Sequence, residues 1–137
     1  MTMAVSTSPV RARMTRLCLA ALAAMVANTV IALIARVFDE QGIGVGLAPA
    51  EYLSLTLIGI VVGTLGWLTI HRVAPQALRV VVPVALVLSW IPDLLLFGSG
   101  ATVANVVGLM VMHVVVTAAV VVPFRAERPA RRAAGEM

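Results

Sequence analysis

Residues 102–124 read TVANVVGLMVMHVVVTAAVVVPF, a run that contains no Asp, Glu, Lys or Arg. A helix of about 20 apolar residues is long enough to cross a hydrocarbon core about 30 Å thick. The run is too long for a strand, and it lacks the alternation of polar and apolar residues that is typical of a membrane β-barrel. We therefore predict a transmembrane α-helix here.

Three further apolar runs of similar length precede this one, at residues 17–37, 52–70 and 78–97. In lipid, every backbone N–H and C=O group must be paired within its own segment or within a closed barrel, and continuous apolar runs achieve this as helices. The sequence therefore predicts an all-α fold, an integral membrane four-helix bundle formed by residues 17–124.

The composition supports a membrane protein. Apolar residues make up 61% of the 137 residues and charged residues 12%, against roughly 45–50% and about 25% in soluble domains. A soluble domain of this size has too little interior to bury that much apolar surface. The single cysteine, Cys18, excludes an intrachain disulfide and a thiolate metal cluster.

The arginines indicate the orientation of the bundle. All basic residues are arginine, and they cluster in residues 1–16, 71–79 and 125–137, whereas residues 38–51 and 98–101 contain none. Because positive charge is retained on the cytoplasmic side, we predict that the N- and C-termini are both cytoplasmic. The clusters lack the interleaved aromatic residues of a nucleic-acid groove, so a nucleic-acid partner is not expected. The expected partner is the lipid bilayer, in the bacterial plasma membrane.

The two terminal segments are predicted to lie outside the membrane. Residues 1–16 form a basic cytoplasmic segment, and residues 125–137 form a disordered, Arg-rich cytoplasmic tail. The first span is interpreted as retained, because it exceeds the roughly 7–15 apolar residues of a signal peptide. Arg36, at the outer end of this span, is the exception to the charge pattern, and we expect it to meet Asp39 or Glu40.

Four side chains with an amide, carboxyl or imidazole group fall inside the predicted spans, where lipid makes them costly. They are Asn28 near the centre of the first span, Asp93 in the third, and Asn105 and His113 in the fourth. The third and fourth spans are joined by so few residues that they must be antiparallel neighbours. Folding them about residues 98–101 sets Asp93 opposite Asn105, so we expect a hydrogen bond between these two side chains.

Two interpretations of these polar residues remain open. The functional one starts from the rule that an ionisable residue inside a membrane is by default a functional-site hypothesis. Asp93 then accepts a proton or cation, and His113 titrates as a relay. Asn28 and Asn105 orient this pair. In the structural one, the four side chains form fixed interhelical hydrogen bonds, each contributing about 0.6 kcal/mol and up to about 2. For Asn28 the structural interpretation is favoured.

Prolines and glycines predict local features of the middle helices. Pro92 cannot donate to the carbonyl of Leu88, so we expect a kink there, with Ser89 satisfying the freed carbonyl, and a second bend at Pro83.

Gly59-x-x-x-Gly63, followed by Gly66, lets another helix approach the second span closely. That helix is either the first span or a second copy of the chain, which would make these glycines a homodimer seam. The first span offers a matching small-residue face, Ala20, Ala24 and Ala27.

Several kinds of site are excluded. Bis-histidine haem needs two imidazoles at one depth, whereas His71 is cytoplasmic and His113 central. A catalytic metal needs three or more ligands, and only Asp93 and His113 are available in the spans. Neither a nucleophile elbow nor a phosphate-binding loop is present. No cofactor, metal or enzymatic activity is therefore expected.

The motifs Pro92-Asp93 and Thr102-x-x-Asn105-x-x-x-Leu109-x-x-x-His113 resemble those of a family of small four-span actinobacterial membrane proteins of unknown function. The resemblance implies four helices and a membrane location, and it brings no activity. From the residues themselves we expect a non-enzymatic protein with a structural or regulatory role. The alternative is a small proton- or cation-coupled transporter that uses Asp93 and His113, as an oligomer with its pathway at the interface.

Overall fold

The computed structural model of the chain describes residues 9–125, and these residues contain four α-helices and no strand. The helices are α1 (Pro9–Phe38), α2 (Pro49–Val73), α3 (Leu78–Leu95) and α4 (Val103–Arg125). A short 3₁₀ helix, Leu96–Ser99, continues α3. The prediction of an all-α chain with four helices is confirmed.

All four helices are long and apolar enough to cross a membrane, which by length and composition indicates a multi-pass membrane protein. The candidate spans are Val10–Phe38, Pro49–Val73, Leu78–Ser99 and Val103–Arg125. Large apolar side chains cover the outside of the bundle, as expected of a surface that contacts lipid. On α1, for example, Leu22, Val26 and Leu33 are each exposed.

Helix α1 begins before the apolar run does. It starts at Pro9, so Arg11, Arg13 and Arg16 lie on its first turns and not in a separate segment. The remainder of the predicted N-terminal segment lies outside the described residues. The predicted disordered tail also lies outside them, apart from Arg125, which ends α4.

The helices run up and down, and this gives the bundle two chemically different ends. Leu17, Trp67, Leu78, Val120 and Phe124 pack together at one end, which we call the arginine end. It carries the arginines of the N-terminal part of α1, the α2–α3 connection and the last residue of α4: Arg11, Arg13, Arg16, Arg72, Arg79 and Arg125.

The opposite end, which we call the acidic end, carries Asp39, Glu40 and Glu51. Its core is formed by buried residues from α1, α2, α4 and the α1–α2 connection: Ala32, Ala35, Leu47, Tyr52, Leu109 and Met112. Helix α4 is central, because it packs against each of the other three and most extensively against α1. Helices α2 and α3 barely touch, which leaves a groove between them.

Helices α1 and α2 pack together, but the glycines of α2 pack against α4, so the expectation that they form the contact with α1 is wrong. A Cβ atom at Gly59 would lie 2.9 Å from a methyl of Val116, and one at Gly63 would lie 3.0 Å from a methyl of Val120. These two glycines are therefore covered within the chain and do not form a free dimer seam. Gly66 differs, because nothing lies within 4 Å of the position its Cβ would take.

Helix α3 continues through both of its prolines. Pro83 and Pro92 lie inside a single helix, and the predicted kinks stay predictions. The Ser89 hydroxyl donates to the Leu86 carbonyl at 2.7 Å, so the expectation that it would satisfy the Leu88 carbonyl is wrong.

The α1–α2 connection, residues 39–48, folds back onto the start of α4. The Asp39 carboxylate accepts hydrogen bonds from the backbone N–H of Gly44, at 3.1 Å, and from the Thr102 hydroxyl. Among the described residues no ion pair joins it to Arg36, contrary to expectation. Gly44 and Gly46 have φ values of +59° and +79°, the left-handed region that favours glycine.

Candidate intramembrane polar site

Asp93 and His113 form the contact at the centre of the candidate site. Asp93 Oδ2, on α3, lies 3.1 Å from His113 Nδ1, on α4. The Asp93 side chain is 9% exposed and that of His113 is 38% exposed. A buried carboxylate is therefore joined to an imidazole that reaches the surface of the bundle.

This pairing differs from the expected one. The 3₁₀ helix Leu96–Ser99 continues α3 beyond Leu95, and Gly100, with φ of +90°, follows it. Helix α4 begins only at Val103. Asp93 meets His113, which lies two turns further along α4 than Asn105.

The hydrogen on His113 can be placed from its neighbours. Nδ1 lies 2.9 Å from the Leu109 carbonyl oxygen, which can only accept, so Nδ1 carries a hydrogen. Asp93 Oδ2 lies close to the same nitrogen, yet it is buried without a hydrogen bond of its own. The contact is therefore an ion pair when the imidazole is doubly protonated, and a polar contact otherwise.

Asn28 belongs to a different interface of the bundle. Its side-chain Nδ2 donates to the Thr56 hydroxyl at 2.7 Å, which joins α1 to α2. Asn28 is only 1% exposed, and Thr56 is buried as well. Sequence reasoning did not pair these two residues; the available signal was two short polar side chains within consecutive spans, which can form an interhelical bond.

Asn105 lies at the acidic end and does not bond to Asp93, so that expectation is wrong. Its Nδ2 donates to the Val45 carbonyl at 2.9 Å, and its backbone N–H donates to the Thr102 hydroxyl at 3.2 Å. Thr102 thereby caps α4 while it also bonds to Asp39. Asn105 holds the α1–α2 connection onto α4, and it does not form a site with Asp93.

Sequence reasoning missed Trp90, which supplies a second polar contact between α3 and α4. Its indole Nε1 donates to the Met110 carbonyl at 3.2 Å. An indole N–H inside a span needs an acceptor, and this was the signal available in the sequence.

A groove between α2 and α3, floored by α4, runs beside the Asp93–His113 pair. Its volume is about 390 Å³. Its walls are almost entirely apolar, and its polar side chains are Ser89, His113 and Thr117. Gly66 faces this groove, where a Cβ would meet nothing.

The described residues do not gather the donors that a metal ion needs. Nowhere in residues 9–125 do three or more His, Cys, Asp or Glu side chains come together in a way that could hold one. Asp93 and His113 supply only two such donors.

The sequence of the chain matches a protein family along most of its length. Residues 8–131 fit the description "Family of unknown function (DUF6069)". The chain belongs to this family. No curated protein and no solved structure matches it.

Membership of this family covers all four helices, so the polar pair and the groove both lie within the matched region. The family description names no activity and no residue. The roles of Asp93, His113, Asn28 and Asn105 are therefore argued from their contacts alone.

Proposed function

We propose that this chain is a non-enzymatic integral membrane protein of the bacterial plasma membrane, with a structural or regulatory role. One observation carries the proposal: each candidate polar residue contacts a polar group on another segment of the bundle. Asn28 joins α1 to α2, Asp93 and His113 join α3 to α4, and Asn105 joins the α1–α2 connection to α4.

Such a distribution suits a bundle that is held in one arrangement. A catalytic or transport site gathers its polar groups at one place, whereas these contacts lie in three different interfaces. Each interhelical hydrogen bond in a membrane contributes about 0.6 kcal/mol, and up to about 2. Together they select one packing of four helices whose apolar surfaces alone would specify it weakly.

The orientation in the proposal rests on the two ends of the bundle. Of the arginines among residues 9–125, all except Arg36 are at the arginine end. The positive-inside rule assigns this end to the cytoplasm, which makes both termini cytoplasmic. The partner is the lipid bilayer, which the apolar outer surface fits. The proposal includes no nucleic-acid partner.

One observation favours a second function, a proton- or cation-coupled carrier. His113 lines the groove and also contacts the buried Asp93, so an ionisable pair connects the interior of the bundle to an accessible surface. Four spans are few for a carrier, so this function requires an oligomer with the pathway between copies.

The two functions are separated by reconstituting the chain in proteoliposomes with a pH-sensitive dye inside. The variants are Asp93→Asn and His113→Ala, and the control is Thr69→Ala, whose hydroxyl bonds only within its own helix. We expect no proton flux above that of empty liposomes. We also expect both variants, but not the control, to be less stable by about 0.6–2 kcal/mol.

The opposite result would overturn the structural proposal in favour of the carrier. It would be a flux through the unmodified protein that both variants abolish while their melting temperatures in detergent stay unchanged.

A further inference from the structure

A second cavity adjoins the groove at the arginine end. Its volume is about 450 Å³, and its polar lining comes from Gln76, Arg79 and Arg125. Both arginines are exposed, and neither guanidinium has an ion pair or hydrogen bond with another described residue. We call this the arginine cavity. Two unpaired guanidinium groups beside an amide form a site that attracts an anion.

The arginine cavity and the groove are adjacent. Trp67 and Leu78 line both of them, so the cationic cavity lies beside the end of the apolar one. Trp67 is held in place by stacking on Phe124, with ring centroids 5.4 Å apart. Tryptophan is enriched at the level of lipid headgroups, so its position marks the depth at which the two cavities meet.

The groove has the dimensions of a site for a hydrocarbon chain. Along α2 it extends from Ile70 to Gly59, three turns of helix, or about 16 Å at 1.5 Å per residue. Its volume of about 390 Å³ falls within the roughly 300–1,000 Å³ that is typical of ligand sites. Gly66 keeps the groove open, since any larger side chain there would extend into it.

We propose that the groove and the arginine cavity together bind one anionic phospholipid. The phosphate is held by Arg79 and Arg125 with Gln76, and one acyl chain lies in the groove between α2 and α3. Charge complementarity supports this occupant, because a cationic cavity at headgroup depth lies next to an apolar groove. Basic pockets between transmembrane helices on the cytoplasmic side bind anionic headgroups in this way.

This inference goes beyond the structural role proposed above, and it shares with that role only the membrane location. It also gives the sparse contact between α2 and α3 a physical reason. An acyl chain in the groove would replace the side-chain contacts that these two helices lack, so the lipid would complete the bundle.

The test uses the full chain in detergent, titrated with dioleoyl phosphatidylglycerol and, separately, dioleoyl phosphatidylcholine. Binding is followed by native mass spectrometry. We expect one phosphatidylglycerol per chain, with an affinity at least tenfold higher than that for phosphatidylcholine. The double variant Arg79→Gln, Arg125→Gln should lower the affinity for phosphatidylglycerol tenfold or more, since each arginine near a lipid surface contributes about 1 kcal/mol.

The matched control for charge is Arg72→Gln, an exposed arginine at the same end that does not line either cavity. It should keep the preference for phosphatidylglycerol.

The contribution of the acyl chain is tested with Gly66→Leu. A Cβ at this position meets nothing within 4 Å, and the larger side chain would extend into the groove, so the substitution should weaken lipid binding without lowering the melting temperature. Gly98→Leu is its control, because Gly98 is also unobstructed and lies outside the groove.

Three results would overturn the proposal. One is equal binding of the two lipids, with affinities that neither the double variant Arg79→Gln, Arg125→Gln nor Gly66→Leu changes. Another is binding of inorganic phosphate that Gly66→Leu leaves intact, which would identify a phosphate site without an acyl chain. The third is the absence of bound lipid together with crosslinking between copies that Gly66→Leu abolishes, which would place a second copy in the groove.

Discussion

The polar side chains inside the bundle are only partly satisfied. Asn28 and Asn105 each donate through their amide nitrogen, but Oδ1 of each is buried without a hydrogen bond. Asp93 Oδ2 also has no hydrogen bond, although it lies beside the His113 imidazole. A buried acceptor without a hydrogen bond costs about 1–3 kcal/mol, which is as large as what the donated bond contributes. We therefore expect the bonds of Asn28 and Asn105 to specify which segments meet and to add little net stability.

At the residue scale, this reasoning predicts a small coupling between Asn28 and Thr56. A double-mutant cycle with Asn28→Ala and Thr56→Val should give an interaction free energy of about 0.6 kcal/mol, and no more than about 2. The measurement is unfolding in mixed micelles with increasing SDS. Strictly additive effects of the two substitutions would show that the 2.7 Å bond does not contribute.

At the scale of helices, small residues decide which elements come close. Helices α1 and α4 approach closely at Gly108, where a Cβ would lie only 2.9 Å from that of Ala35. Ala24 and Ala119 continue this interface towards the arginine end, packing with Ile60 of α2. The glycine motif in the sequence lies on α2, but the most extensive helix contact, between α1 and α4, depends on Gly108 of α4.

For this interface we predict that Gly108→Val destabilises the protein by about 1–3 kcal/mol, because the added methyl groups must displace Ala35 and the helix that carries it. Gly98→Val is the control, since nothing lies within 4 Å of a Cβ at that position. Thermal unfolding in detergent compares the two. Equal melting temperatures for both variants would show that α1 and α4 are not this close.

For the whole molecule, the main property is asymmetry. One end is arginine-rich, while at the other the α1–α2 connection is bonded to α4 through Asp39, Thr102 and Asn105. Around the central α4, the α1 side is closely packed and the α2–α3 side is open. The bundle therefore has one closely packed face and one face with an open groove.

The orientation of the whole molecule can be tested with two exposed glutamines from the two ends. In a Cys18→Ala background, Gln41→Cys lies at the acidic end and Gln76→Cys at the arginine end. A membrane-impermeant maleimide should label Gln41→Cys in intact cells and label Gln76→Cys only after permeabilisation, as the positive-inside rule requires. The reverse pattern would place the termini outside.

The sequence by itself determined the number, type and approximate limits of the helices. Long uncharged runs leave a backbone in lipid no alternative to internal hydrogen bonding, and this requirement is local to each segment. The alternation of arginine-rich and arginine-poor connections is also local, so the two ends of the bundle could be predicted from it. The same local reasoning identified the polar side chains inside the spans, because the free-energy cost of a polar group in a membrane depends on its depth alone. They are Asp93, Asn105, His113 and Asn28.

Only the tertiary structure decided which of these groups meet. Asp93 pairs with His113 across the interface of α3 and α4, and Asn105 bonds instead to the α1–α2 connection. Likewise, Gly63 packs against α4. The groove exists because α2 and α3 both pack against α4 and hardly contact each other. In lipid, apolar helices gain little by choosing one neighbour over another, so the choice depends on small-residue fit and polar contacts between distant positions, which no single segment displays.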